Sequence, residues 1–433
     1  MSINHTATDT GTPQLSRRRF VQGSLMAAVL GGTALGASAC STSTAASGGG
    51  GKGSVSFFSW DTQTVMKPVL DLFTKQTGAS VSFSYAPPVP QYVSTLQTRL
   101  QAHTGADVFI LTAEDKQLVG GGFVKDLTGQ KFLAPMNSAN KDFMTVDGKV
   151  YGLSISSWAG GIMYNKDLLA KVGADALPDS WDGFLKLCGK LKDQGIAPYY
   201  DSAHDGNFMA LWGLLGGYFD GHGGFPDADI FAGKATFADT WTEPLVAYCR
   251  LYTEKLTPKS VVGLTSDQVV SEFANGRVAM FGAGTWNVPT VQKSAPHLSF
   301  QTEAIPGIDK GTNYWTGAAS PGYAINAKAK NPEAALKFLE FLASPDAVKA
   351  YGKSSGAITT TSTYKPSFAE SITNQALGAR SGKIYLPVVA WPRHSNELIQ
   401  EFNTQMQQMV QGSVKPKDIP AALDKKLKQL DAK

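Results

Sequence analysis

The sequence predicts an α/β protein built in two halves, with the chain crossing between them more than once. Two observations carry this. From Val55 onward, strand, helix and strand follow one another in the order of a parallel βαβ unit. Two distant segments, "VYGLSISSWAGGIMYNKDLLAKVG" (150–173) and "YWTGAASPG" (314–322), also share one composition of aromatics, small residues and glycines. Paired glycines beside an indole suit a chain that bends while presenting a flat surface. The first segment reads as the passage to the second half and the second as the return. A chain of 433 residues, 42% of them hydrophobic, has the material for two cores.

A formal charge of +4 is spread along the sequence with no basic cluster interleaved with aromatics, which argues against nucleic-acid binding. Three cysteines are too few for a disulfide framework. Cys188 in "FLKLCGKL" and Cys249 in "LVAYCRLY" lie on apolar helical faces and read as buried free thiols.

Residues 1–40 read as an export signal. Ser16-Arg17-Arg18-Arg19-Phe20-Val21 resembles a twin-arginine motif, and the apolar stretch Leu25 to Leu35 is too short to span a bilayer. Ala37-Ser38-Ala39-Cys40 resembles a lipobox with Cys40 as the lipidated residue, although Ala-x-Ala also fits ordinary signal cleavage. The tether over 41–53 holds no apolar residue larger than alanine. It implies a soluble body held at the outer face of a membrane.

In the body, Val55 to Phe58 is the first expected strand, followed by Trp60-Asp61 and a helix ending at Gly78. Val81 to Tyr85 alternates as a second strand, and Asp107 to Leu111 is a third that ends in Thr112-Ala113-Glu114-Asp115. Ligands of open α/β sheets sit beyond the carboxyl ends of strands, which singles out Trp60, Asp61, Tyr85, Glu114 and Asp115. Asn165 is expected to cap a short helix and Ser180 a longer one. The polar loop His204-Asp205-Gly206-Asn207 precedes an apolar helix from Phe208 to Leu215, and it lacks the further histidine or carboxylates that metal or acid/base work would need. Arg277 to Phe281 reads as a strand leading into a glycine-rich loop with Trp286 and Asn287, without the lysine or spacing of a phosphate loop. Trp391, Arg393 and His394 stand before a long helix from about Asn396 to Val410, and an amphipathic helix over Ala421 to Leu430 closes the chain.

Four segments in order, "GKVYGLSISSWAGGIMYNKDLL", "SEFANGRVAMFGAGTW", "NPEAALKFLEFLASPDAVKAYGKSSGAITT" and the aromatic stretch around Trp391, resemble the extracellular solute-binding proteins of carbohydrate ABC importers, the family of the maltose-binding protein. In this chain Gly152-Leu153-Ser154 stands further from Gly161 than in the family pattern. The resemblance implies a two-lobed, periplasmic-binding-protein-like (type II) α/β fold with hinge-crossing segments and a central cleft, lobe 1 from 54–158 and 320–365, lobe 2 from 159–319 and 366–433. It implies capture of a mono- or oligosaccharide and its delivery to the transmembrane subunits of a permease by a monomeric receptor, with no cofactor and no catalysis. It also turns Glu114, Asp115 and the His204 to Asn207 loop toward the cleft.

The aromatics fit that expectation, because a sugar's C–H face stacks on an indole while its hydroxyls seek side chains that reach two at once. Trp60, Trp158, Trp286, Trp315 and Trp391 all fall in glycine- or proline-rich stretches near Asp61, Asn287, Asn313 or Arg393. The alternatives are a secreted carbohydrate-active enzyme, which needs a close carboxylate pair, and a receptor for another solute, with Arg393 leaving room for an anion.

Overall fold

The computed structural model describes residues 53–87, 89–111, 116–364 and 370–432. The leader with Cys40, all of the tether but Gly53, and the expected site residues Glu114 and Asp115 lie outside the described residues.

One half is built on a five-stranded sheet in the order Val81–Tyr85, Val55–Ser59, Val108–Leu111, Gly322–Ile325, Leu153–Ser154. The first three run parallel, as the strand, helix, strand order requires. Gly322–Ile325 lies antiparallel to Val108–Leu111, so a segment more than two hundred residues later completes the sheet. The helix Gln63–Thr77 buries Met66, Val69, Leu70 and Phe73 against it and stops at Gly78, whose φ of 70° is the left-handed conformation of a helix C-terminus. Phe57, Phe109, Tyr323 and Phe338 centre this core.

The second half has a seven-stranded sheet around one long strand, Ser156–Asn165, which pairs with Trp315–Ala319, Val278–Gly284, Phe300–Glu303 and Ile358–Thr359. This corrects the expected bend. Residues 156–161 are continuous strand, and the glycines allow close approach: a Cβ on Gly161 would stand 2.0 Å from the Glu303 carbonyl oxygen, and one on Gly160 would stand 2.3 Å from Met209 Sδ. Gly216 and Gly217 likewise do not end their helix, which runs Met209–Gly221. They let it lie against Tyr314 and Thr312, with a Cβ on Gly217 falling 2.2 Å from the Thr312 carbonyl oxygen. Trp181, Trp212, Trp241 and Phe402 fill the core of this half. Cys188 and Cys249 are buried and unbridged, and burial pushes both thiols far above their usual range. The helices Ser395–Gln411 and Ile419–Asp431 close on this half, where the Asp424 carboxylate accepts the Phe237 and Ala238 amides at 2.8 and 2.9 Å at a helix N-terminus. Among the described residues no helix is long and apolar enough to cross a membrane.

Among the described residues three passages join the halves, and they meet at Ser156. Leu153–Ser154 belongs to the first sheet and Ser156–Asn165 to the second, so the first crossing falls at Ile155 and Trp158 stands in the second half rather than at its boundary. Ser156 Oγ donates to the Ser320 carbonyl at 2.8 Å, and the Ser320 amide donates back to the Ser156 carbonyl at 3.0 Å. Thr359 pairs with Ser156 in the third passage. The buried Asn140 adds a clasp, donating to Ser154 Oγ and the Ser156 carbonyl, both at 2.7 Å, and accepting from Ser157 Oγ at 3.1 Å.

Candidate functional site

The crossing segments floor a cavity of about 470 Å³ between the halves, within the range of small-ligand sites. From the first half, Trp60 and Asp61 leave the end of strand Val55–Ser59, and Ser59 Oγ takes the Asp61 amide at 2.9 Å. Trp60 stands edge-on to Tyr92 with centroids 5.5 Å apart, and Tyr92 is itself fixed by 2.7 Å bonds to both the amide and the carbonyl of Ile110. Tyr351, from helix Pro345–Ser355, donates to Asp61 Oδ2 at 3.1 Å. Burial raises the Asp61 carboxyl to about 6, the Tyr351 bond pulling the other way. Phe143 and Val89 complete this wall.

From the second half come Trp158 and Trp286, with Leu386 and Val389 beside them. Of the ten residues of strand Ser156–Asn165, only Trp158 is not buried, which marks the cavity-facing position. Trp286 follows the end of Val278–Gly284 and is 46% exposed. Asn287 is not in the cavity wall: its Oδ1 accepts the Gly284 amide at 2.9 Å and holds the turn that presents Trp286. A larger hollow, about 1080 Å³, lies on the outer face of the first half between Gln76, Lys330 and Lys337. It touches none of the crossing segments and gathers no tryptophan, so the cleft is the better candidate.

The structure thus brings together Trp60, Asp61, Trp158 and Trp286 and sets the other described candidates elsewhere. Trp315 is 7% exposed and packs with Ala159, Ile358, Ala376 and Ala379. Trp391 is 1% exposed among Phe231, Phe237 and Trp241. Both are core side chains: Trp315 opens the strand Trp315–Ala319 and faces the interior, and the stretch that carries Trp391 turns inward. Arg393 forks onto Asp431 with two 2.7 Å bonds, fastening the last helix rather than reaching a ligand. Tyr85 is exposed and stacked on Phe83 outside the cavity wall. His204 pairs with Asp205 at 2.7 Å, and Asp205 accepts the Ser266 amide at 2.6 Å, at the start of helix Ser266–Ala274. The Asn207 amide donates to the Ser202 carbonyl, and the loop leans on Gln407 and Asn403 instead of the cleft. Sequence reasoning missed Tyr351, Phe143, Leu386 and Val389. Tyr351 shares its helix with the buried Ala347 and Val348, so its spacing signals only a core face.

Residues 69–377 match the family model of the bacterial extracellular solute-binding proteins. The chain belongs to that family. Its members are exported and act outside the cytoplasm, and the two sheets with their cleft are the two lobes of the family's fold. A solved family 1 extracellular solute-binding protein from Bifidobacterium longum subsp. infantis is 31% identical and superposes with a TM-score of 0.75 over 88% of this chain and 100% of that one. A sugar transporter from Bacillus licheniformis, solved in complex with stachyose, has the same fold at 18% identity, with a TM-score of 0.70 over 87% of this chain and 100% of its own. The multiple sugar-binding protein of Streptococcus mutans is 23% identical over 61% of this chain and 64% of its own length, so the chain spans less than two thirds of that curated relative.

Proposed function

We propose that this protein is the receptor of an ABC importer, taking a mono- or oligosaccharide between its lobes and passing it to the transmembrane subunits of the permease. The carrying observation is the cleft itself, with indoles from both halves, Trp60 on one side and Trp158 and Trp286 on the other, around the carboxylate of Asp61. Indole faces suit the C–H face of a pyranose, and a carboxylate accepts two hydroxyls at once. The family's binding role and the sugar-binding relatives support the same reading. In it the lobes close over the sugar by bending at the three passages around Ser156, with the first crossing at Ile155 so that Trp158 belongs to lobe 2. The protein acts as a monomer without catalysis or cofactor, exported by the twin-arginine route and held at the outer face of the membrane by lipid on Cys40.

The test is a thermal-shift screen of the body, Ser54 to Lys433, against saccharides, sugar acids, polyamines and amino acids. Native-state binding at a hundredfold excess over Kd adds about 2.7 kcal/mol of stability. A shift with one sugar family and no turnover on long incubation is the expected result. Silence from every sugar together with a shift from another solute would overturn the saccharide reading.

A further inference from the structure

Asp61 carries the only charge among the described residues that line the cleft. Its setting is specific. Ser59 holds its amide and Tyr351 holds Oδ2, while among the described residues nothing donates to Oδ1. The titratable groups facing it are Tyr351 on helix Pro345–Ser355 and, behind it, Tyr323 on strand Gly322–Ile325, and burial keeps both phenols neutral far above their usual range. The rest of the wall is largely apolar, with Trp60, Trp158, Trp286, Phe143 and Leu386 excluding water. Such walls lower the local dielectric, so a charge acts on its neighbours several times more strongly than in bulk water.

A carboxylate in this position does two things to an incoming ligand. Its open lone pairs accept hydroxyl hydrogens, and the bonds are strong because the acceptor is ionised. It also opposes any second negative charge, and burial by the protein's own walls has already lifted its proton affinity. Building on the saccharide reading, we propose that Asp61 is a charge filter: the cleft takes saccharides without negative charge, and the Asp61 carboxylate anchors their hydroxyls while rejecting uronate and phosphorylated counterparts. Like-charge exclusion of this kind sets specificity by penalising the wrong partner rather than by improving the right one.

The experiment is calorimetric titration of the purified protein with matched saccharides: glucose against glucuronate and glucose 6-phosphate, galactose against galacturonate, with cellobiose, raffinose and maltose as further neutral probes. D61N is run alongside, with its melting temperature as a check on folding. At pH 7.5 in low salt the neutral member of a bound pair should hold at least about tenfold tighter than its acid. D61N should weaken the neutral member and bring the pair within about threefold. A second measurement needs no variant. At pH 5 the sugar acids stay ionised while Asp61 takes up its proton, so wild-type protein should move toward the D61N pattern.

Equal binding of acid and neutral members by wild type, or a ratio unchanged in D61N and at pH 5, would overturn the filter and leave the saccharide reading standing. Binding of no member of the panel would overturn both.

Discussion

The indoles of Trp158 and Trp286 meet edge to face, with centroids 5.3 Å apart and planes 70° apart. Strand register brings them together. Gly160 pairs with Gly284 in the antiparallel ladder, and each tryptophan stands two residues beyond that pair, Trp158 before Gly160 and Trp286 after Gly284. Alternation along the strand puts Trp158 on the same face as Gly160, and the turn held by Asn287 folds Trp286 back over Gly284 to meet it. Gly284 completes the arrangement, since a Cβ there would stand 2.2 Å from the Trp286 ring.

Truncating either indole should therefore cost ligand affinity and little else. Trp286→Ala or Trp158→Ala is expected to weaken sugar binding by about 1–3 kcal/mol, from the lost stacking and buried area. Trp286 is the cleaner variant because it is nearly half exposed. Calorimetry against the sugar found in the screen, with a melt of the free protein, checks both halves of the expectation. Wild-type affinity in both variants would remove these indoles from the site.

Trp391 makes the opposite case. It is buried among Phe231, Phe237 and Trp241, away from the cleft. Trp391→Phe should lower the stability of the protein by about 1–3 kcal/mol, as a large core ring is exchanged for a smaller one, and leave sugar affinity where it was. Denaturant unfolding and calorimetry on one preparation separate the two effects. A loss of affinity at unchanged stability would return Trp391 to the site.

This pair also shows what could be read in the sequence. The strand order, the caps and the two crossings were legible because they are local: Asn165 Oδ1 accepts the Leu168 amide at 3.1 Å and Ser180 Oγ the Gly183 amide at 3.3 Å, as helix-start chemistry demands. Trp286 and Trp391 look alike in sequence, each in a glycine- or proline-bearing stretch beside a polar residue. Whether such a loop turns inward is decided by what packs on it, which no local pattern carries. The paired glycines misled for the same reason. Composition marks a glycine but does not say whether it bends the chain or admits a neighbour, and Gly160 and Gly161 do the second.

Three raised carboxyls give stability a pH dependence of definite sign. In the second lobe's core, Asp201 accepts from Tyr199 at 2.5 Å and from Tyr248, and burial outweighs these bonds to raise it from 3.8 to about 7. Burial likewise raises Asp61 and Asp227 to about 6. Each binds its proton more tightly folded than unfolded. Their contribution is therefore full below the unfolded value near 3.8 and is lost as pH rises through 6 to 7. Asp107 runs the other way: the Ser56, Lys330 and Asn331 groups that bond it hold it low, so its contribution is lost only on stronger acidification. Urea unfolding of the free protein should show stability falling between pH 5 and 8 by on the order of 1 kcal/mol or more, and Asp201→Asn should flatten that fall. A rise in stability over this interval would contradict the assignment.

The central strand supplies the sharpest structural test, because two glycines of the same protein should respond in opposite ways to one added methyl group. At Gly161 a Cβ would meet the Glu303 carbonyl oxygen at 2.0 Å and the Trp315 ring at 2.7 Å. Relief would require parting the strand from its Phe300–Glu303 neighbour, whose ladder includes the Glu303 to Ile162 pair. Gly161→Ala should accordingly cost about 3 kcal/mol or more, at the severe end for a single methyl in a packed interior. Gly189 lies inside the helix Trp181–Asp193 with nothing within 4 Å of an added Cβ. There the substitution removes only the extra freedom of glycine in the unfolded chain, and Gly189→Ala should raise stability by about 0.5–1 kcal/mol. Chemical denaturation of the two variants beside wild type reads both signs. If Gly161→Ala were as stable as Gly189→Ala, close approach could not be the reason for the glycine, and a bend at 160–161 would again be the better account.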